Sequence, residues 1–148
     1  MRRPSTRIRT LALVLMIGLA TTASASGLPT LVGSWEAVST LETGEEAPGL
    51  FTFNIDRTWM STGDNASFGN GHGAWKRTGV KTFAATNKAF VYGEDGSLSL
   101  VVSNETVLEV SSDGNSFTAA FTTEVSLPDG TPVDSFTGTS VGTRIQVD

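Results

Sequence analysis

Ser97-Leu-Ser-Leu-Val-Val-Ser-Asn-Glu-Thr-Val-Leu-Glu-Val110, Ser116-Phe-Thr-Ala-Ala-Phe-Thr-Thr-Glu-Val-Ser126 and Val133-Asp-Ser-Phe-Thr-Gly-Thr-Ser-Val-Gly-Thr-Arg-Ile-Gln-Val147 are three long β-type runs. Asp113-Gly114 and Asp129-Gly130 divide them, and a third pair, Asp95-Gly96, precedes the first. Asp-Gly between β-type runs is a strong short-range hairpin signal, because the turn needs backbone torsions that glycine adopts freely. The pairs fall 18 and 16 residues apart, which is one long strand plus one turn. This third of the chain therefore reads as a meander of antiparallel strands.

Working outward, Lys81 to Tyr92 is a further run that ends at the turn Gly93-Glu-Asp-Gly96. Before it lies a short strand from Gly73 to Gly79. Gly63 to Gly73 is read as an irregular segment, loosened by its glycines. Leu50 to Ile55 alternates, with Phe51, Phe53 and Ile55 on the buried side; Asp56-Arg57 turns it back into Thr58 to Thr62. Glu42 to Gly49 is a polar loop, and Leu31 to Thr40 is the first strand, with Gly33, Trp35 and Ala37 on one face. No stripe of helical period persists beyond two turns, and no linker or second domain interrupts the pattern. Seven or eight strands, each joined to its neighbour, tend to close, because closure removes edges prone to aggregation. The expected fold is all-β, a single up-and-down antiparallel barrel of about eight strands.

The first segment has a different character. Arg2, Arg3, Arg7 and Arg9 precede an apolar run from Leu11 to Ala20, and Ala23 and Ala25 stand in an Ala-x-Ala arrangement. That is the pattern of a secretory signal, with cleavage expected after Ala25 and a barrel domain over 26–148. The run is too short for a bilayer-spanning helix, and no lipoprotein cysteine follows it. The expected address is extracellular or periplasmic, with no membrane span in the mature protein.

Removing residues 1–25 takes four arginines and no acid, leaving six basic against fifteen acidic side chains, a net of about −9. Such a surface repels nucleic acid and anionic membranes, so a nucleic-acid partner is not expected. With no cysteine, burial alone must hold the domain. One histidine and no cysteine leave no usual zinc ligand set. The Asp-Gly pairs are spaced as turns rather than as a calcium site, and no cofactor is expected. Phosphate-loop and Gly-x-Ser-x-Gly patterns are missing from the sequence.

Two features at opposite ends carry a resemblance. Gly33-x-Trp35 opens the first strand, and Gly142-Thr-Arg144-Ile145 lies on the last. This resembles the lipocalin superfamily, broadly the calycins, with a Gly-x-Trp on the first strand and an Arg or Lys on the last. The stretch Gly73-x-Trp75-x-x-x-Gly79-x-x-x-Phe83 looks like small bacterial lipocalin-like proteins. The resemblance implies a barrel in which Trp35 and Arg144 meet where the barrel closes; a guanidinium on an indole face is worth about 0.5–2 kcal/mol. It implies binding of a small hydrophobic or amphipathic molecule. The alternatives are a protein-binding module, such as a secreted protease inhibitor, and a cofactor-free isomerase or cyclase on a barrel of the allene oxide cyclase kind. Enzymatic activity is the less favoured reading.

The candidate ligand-binding residues are Trp75, Phe83, Phe90, Tyr92 and His72, with no catalytic or metal-binding residue assigned. The aromatics offer an apolar wall with a phenol to orient a ligand, against the plainer reading that they fill the core. His72, the one histidine, is a rim residue or a base near Asp64 in sequence, against a merely solvated side chain. Lys88 shares a face with Phe90 and Tyr92. Facing inward it would put a cation in the barrel; facing outward it would bury Phe83, Ala85, Ala89 and Val91 and leave Asn87 needing partners. The outward choice is preferred. Asn65-Ala-Ser67 and Asn104-Glu-Thr106 fit the glycosylation pattern.

Overall fold

The computed structural model describes residues 27–67 and 69–147, so the leader expected over residues 1–25 lies outside the described residues. The β-type runs become eight strands: β1 (Gly33–Leu41), β2 (Glu46–Phe53), β3 (Thr58–Gly63), β4 (Gly71–Arg77), β5 (Thr82–Tyr92), β6 (Leu98–Val110), β7 (Ser116–Ser126) and β8 (Pro132–Arg144). Each pairs antiparallel with the next, and β8 pairs antiparallel with β1, closing an up-and-down barrel. Among the described residues no helix is long and apolar enough to cross a membrane.

Four hairpins share one turn. Asp56, Asp95, Asp113 and Asp129 each accept a hydrogen bond from the backbone N–H two residues on, at Thr58, Ser97, Asn115 and Thr131. The residue between has positive φ: Gly96 at 76°, Gly114 at 77°, Gly130 at 90° and, where the others have glycine, Arg57 at 71°. The aspartate side chain replaces a backbone acceptor, and the left-handed residue lets the strands return with the right twist.

Three expectations are corrected. Ile55 is exposed rather than buried, because β2 ends at Phe53 and Ile55 sits in the turn. The loop after β1 is shorter than 42–49, since Glu46 to Gly49 pair with β1. The segment to Gly73 is not all irregular: β4 begins at Gly71. Its glycines serve packing instead. A Cβ at Gly73 would sit 2.6 Å from the Trp59 indole nitrogen and 1.8 Å from the Thr86 carbonyl oxygen. Trp59 is the cross-strand partner of Gly73, as Phe117 is of Gly142 and Phe121 is of Gly138. In each pair an aromatic ring lies inside the barrel over a strand that has no side chain to meet it.

The interior is filled at one end. Trp35, Phe53, Phe83, Phe117, Leu31, Leu108 and Val110 are almost wholly buried there. Seven rings form a continuous series, Phe83, Trp75, Phe53, Trp59, Phe51, Phe117 and Trp35, with neighbouring centroids 5.0–6.4 Å apart. An arginine stands over each terminal ring: Arg77 lies 4.5 Å from the Phe83 centroid and Arg144 lies 4.1 Å from the Trp35 ring. The three indole N–H groups donate to the carbonyls of Leu31, Thr86 and Asn54, so the aromatic end buries no unmet donor.

The chain before β1 covers this end. Leu31 is fully buried, and the carbonyls around it are held by the two arginines. Arg144 donates to Val32 at 2.6 Å, Thr30 at 2.7 Å and Gly114 at 2.7 Å; Arg77 donates to Pro29 at 2.6 Å. Gly33 explains itself here. Its φ is 132°, and a Cβ would fall 2.4 Å from the Arg144 guanidinium, so only glycine lets the arginine reach across.

Candidate functional site

Above the aromatic rings the barrel is hollow. The cavity has a volume of about 770 Å³ and opens between the loops 42–45, 64–70, 93–97 and 127–131. That size is within the range of small-molecule pockets, roughly 300–1,000 Å³. Phe51, Phe53 and Trp59 form its floor, and Ala47, Ala85, Ala89, Val102, Ala119 and Phe121 line the wall. Small residues hold the space open. Alanine or glycine occupies inward positions at Ala47, Gly49, Ala85, Ala89 and Ala119, where a leucine would fill it.

A belt of uncharged polar side chains crosses the wall. The Thr123 hydroxyl donates to Asn104 Oδ1, Asn104 Nδ2 donates to Asn87 Oδ1 at 2.9 Å, and Asn87 Nδ2 donates to Ser61 Oγ at 2.9 Å. On the other side Ser39 and Ser140 share a bond of 2.7 Å between β1 and β8. Register explains the chain of bonds. Thr123 faces Asn104 across β7 and β6, and Asn104 faces Asn87 across β6 and β5. Ser61 is two strands from Asn87, and the strand between carries Gly71 at the crossing. A Cβ there would meet Asn87 Nδ2 at 2.4 Å and Ser61 Oγ at 2.3 Å. Asn87 is 4% exposed and Thr123 2%, so the belt lies on the inner face of the barrel.

The residues nominated from sequence fall elsewhere. Phe83 is fully buried in the filled end, with Trp75 beside it at 5.8 Å between centroids. Trp75 uses its indole N–H on the Asn54 carbonyl. His72, Phe90 and Tyr92 lie on the outer face, Phe90 and Tyr92 being 48% and 41% exposed. The structure thus brings Trp75 and Phe83 together and leaves the other three outside; none of the five lines the cavity. Lys88 points outward and is paired with His72 in the sheet, while Phe83, Ala85, Ala89 and Val91 turn inward as that choice requires. Asn87 finds its partners in Ser61 and Asn104. Of the two glycosylation-pattern asparagines, Asn104 faces the interior and Asn65 lies exposed in the loop after β3.

What the sequence reading missed is the belt. Its members stand at 61, 87, 104 and 123, on four strands, and each is an ordinary polar residue in its own run. The available signal was Asn87 itself, a polar residue on the apolar face of β5.

The open rim is acidic throughout, whereas the filled end carries both signs. The four loops at the open end carry Glu42, Glu45, Asp64, Glu94, Asp95 and Asp129 and, among the described residues, no lysine, arginine or histidine. Arg57, Arg77, Lys81 and Arg144 stand at the filled end. Burial draws the Arg144 pKa below the ordinary arginine value. Among the described residues no group of three or more His, Cys, Asp or Glu side chains is placed to hold a metal.

No family model and no curated protein matches the chain. Among solved structures it is similar to a redesigned beta barrel, at 13% identity over 82% of this chain and 96% of that one, with a TM-score of 0.26.

Proposed function

We propose that the protein is a lipocalin-like carrier that holds a small apolar or amphipathic molecule inside its barrel. One observation carries this reading: a cavity of about 770 Å³, floored by Phe51, Phe53 and Trp59, open at one end and closed by packed rings at the other. Apolar burial drives occupation of such a space, at roughly 25 cal/mol per Å² of apolar surface removed from water. The Trp35–Arg144 stack supports the lipocalin-like description, since that family brings a Gly-x-Trp and a terminal-strand cation together in this way. A secretory leader over residues 1–25 would place the carrier outside the cytoplasm, where a net charge of about −9 favours solubility. The carrier reading is favoured over a cyclase, because His72, Lys88 and Tyr92 lie outside the lining.

The test is titration of the purified mature protein with N-phenyl-1-naphthylamine, a neutral fluorophore that brightens in apolar surroundings. Saturable binding of one molecule per chain, accompanied by quenching of tryptophan emission, is the expected result. Non-saturable or absent brightening, with no extractable small molecule already in the barrel, would overturn the reading.

A further inference from the structure

We infer that the cavity selects an uncharged molecule with an apolar body and an oxygen acceptor, held at the Asn87–Asn104–Ser61 belt, and rejects anionic amphiphiles of the same length. This rests on the carrier reading above and names its ligand class.

The belt is a source of donors. Its bonds run one way, from Thr123 through Asn104 and Asn87 to Ser61. Each asparagine amide has two N–H groups, and among the described residues each uses one within the belt. The Ser61 hydroxyl accepts from Asn87, which leaves its own hydrogen to donate. All four side chains line the cavity. An ester, ketone or ether oxygen beside them receives hydrogen bonds and asks for none in return. A purely hydrocarbon ligand would instead cover these N–H and O–H groups and leave the donors without partners, which is unfavourable.

A carboxylate meets the opposite situation. No lysine, arginine or histidine is among the lining residues, so a buried anion would have no counter-charge. An isolated ionised carboxylate is among the costliest groups to take out of water. Glu45, Glu46 and Asp64 line the mouth of the same cavity, so an anion is opposed on entry as well. The two effects differ in reach. At physiological salt the Debye length is about 8 Å, so added salt weakens repulsion at the mouth and leaves the missing interior counter-charge untouched.

The experiment is displacement of bound N-phenyl-1-naphthylamine at pH 8 by methyl decanoate, kept below its solubility limit, or by decanoate, kept below its micelle concentration. Methyl decanoate is expected to displace the probe, with decanoate weaker by about tenfold or more. Raising the salt is expected to narrow the gap only in part. Ser61→Ala, which keeps the small inward side chain, is expected to weaken methyl decanoate severalfold with the barrel's circular dichroism unchanged. Equal or tighter displacement by decanoate overturns the inference while probe binding keeps the carrier reading alive. Unchanged ester affinity in Ser61→Ala overturns the role of the belt. Failure of the probe itself to bind removes the carrier reading and the inference with it.

Discussion

The two halves of the barrel interior answer the same geometric demand in opposite ways. At the filled end the strands send in large rings, and glycines on neighbouring strands make room: Phe117 over Gly142, with Trp35 edge-on to Phe117 at 5.2 Å. At the open end most inward positions are alanine, serine, threonine or asparagine, with Phe121 among the few large side chains, and a cavity results. The filled end is held by dispersion, area burial and two arginines laid over its terminal rings. The open end is held by backbone pairing and by side-chain hydrogen bonds between strands. Stability and binding are therefore expected to separate along the axis, and substitutions can test that separation.

Phe117→Ala carries the largest expected effect, a loss of about 3–5 kcal/mol in denaturant unfolding, because it empties a closed space that cannot collapse. Phe121→Ala removes the same ring from the open half, where the ring is partly exposed, and is expected to cost well under half as much while altering N-phenyl-1-naphthylamine binding. Equal costs would break the division. Arg144→Ala comes next, at about 2 kcal/mol, since it removes the stack on Trp35 and strips three carbonyls of a charged donor. The signature that distinguishes this from a general loss is faster proteolysis confined to residues 27–32. Arg57→Gly should stabilise the fold by about 0.5–1 kcal/mol, because a left-handed backbone strains a residue with a Cβ. A fall in melting temperature would refute that account of the turn.

The smallest effect is acid sensitivity. Hydrogen bonds from Thr58, Ser97 and Ser111, and from the backbone N–H of Thr131, hold the carboxyls of Asp56, Asp95, Asp113 and Asp129 below the usual aspartate range. The folded chain thus binds fewer protons than the unfolded one in this range. The contribution is present above about pH 4 and fades as the pH falls through the lowered values. Replacing Asp129 by asparagine should flatten part of that acid limb, as read from unfolding midpoints between about pH 2 and pH 5.

Much of the fold could be read in advance because its signals are local. Asp-Gly turns and alternating β-type runs act within a few residues, and the three Asp-Gly positions place three of the hairpins. The glycines of β4 misled for a physical reason. Glycine serves a loop through its torsional freedom and a strand through its missing side chain, and only the position of Trp59 across the sheet separates the two uses. The belt was illegible for the same cause. Asn87 announced a need for partners, but Ser61 and Asn104 become neighbours only through register, which no window of one strand contains. Phe83, Phe90 and Tyr92 stand in a stretch where both faces are mixed, and the inward turn of Asn87 decides which side each of them takes.

The seam between β1 and β8 has a consequence for how the molecule comes into being. Ser39 meets Ser140 across that seam, 101 positions further along the chain. Hairpins from β5 to β8 can zip as soon as their residues exist, but the ring cannot shut until almost the whole described chain is available. Such long-range closure slows folding, toward milliseconds to seconds for β-rich domains. Until β8 meets β1 the chain is an unclosed ribbon with two bare edges, and it is this pairing that removes both.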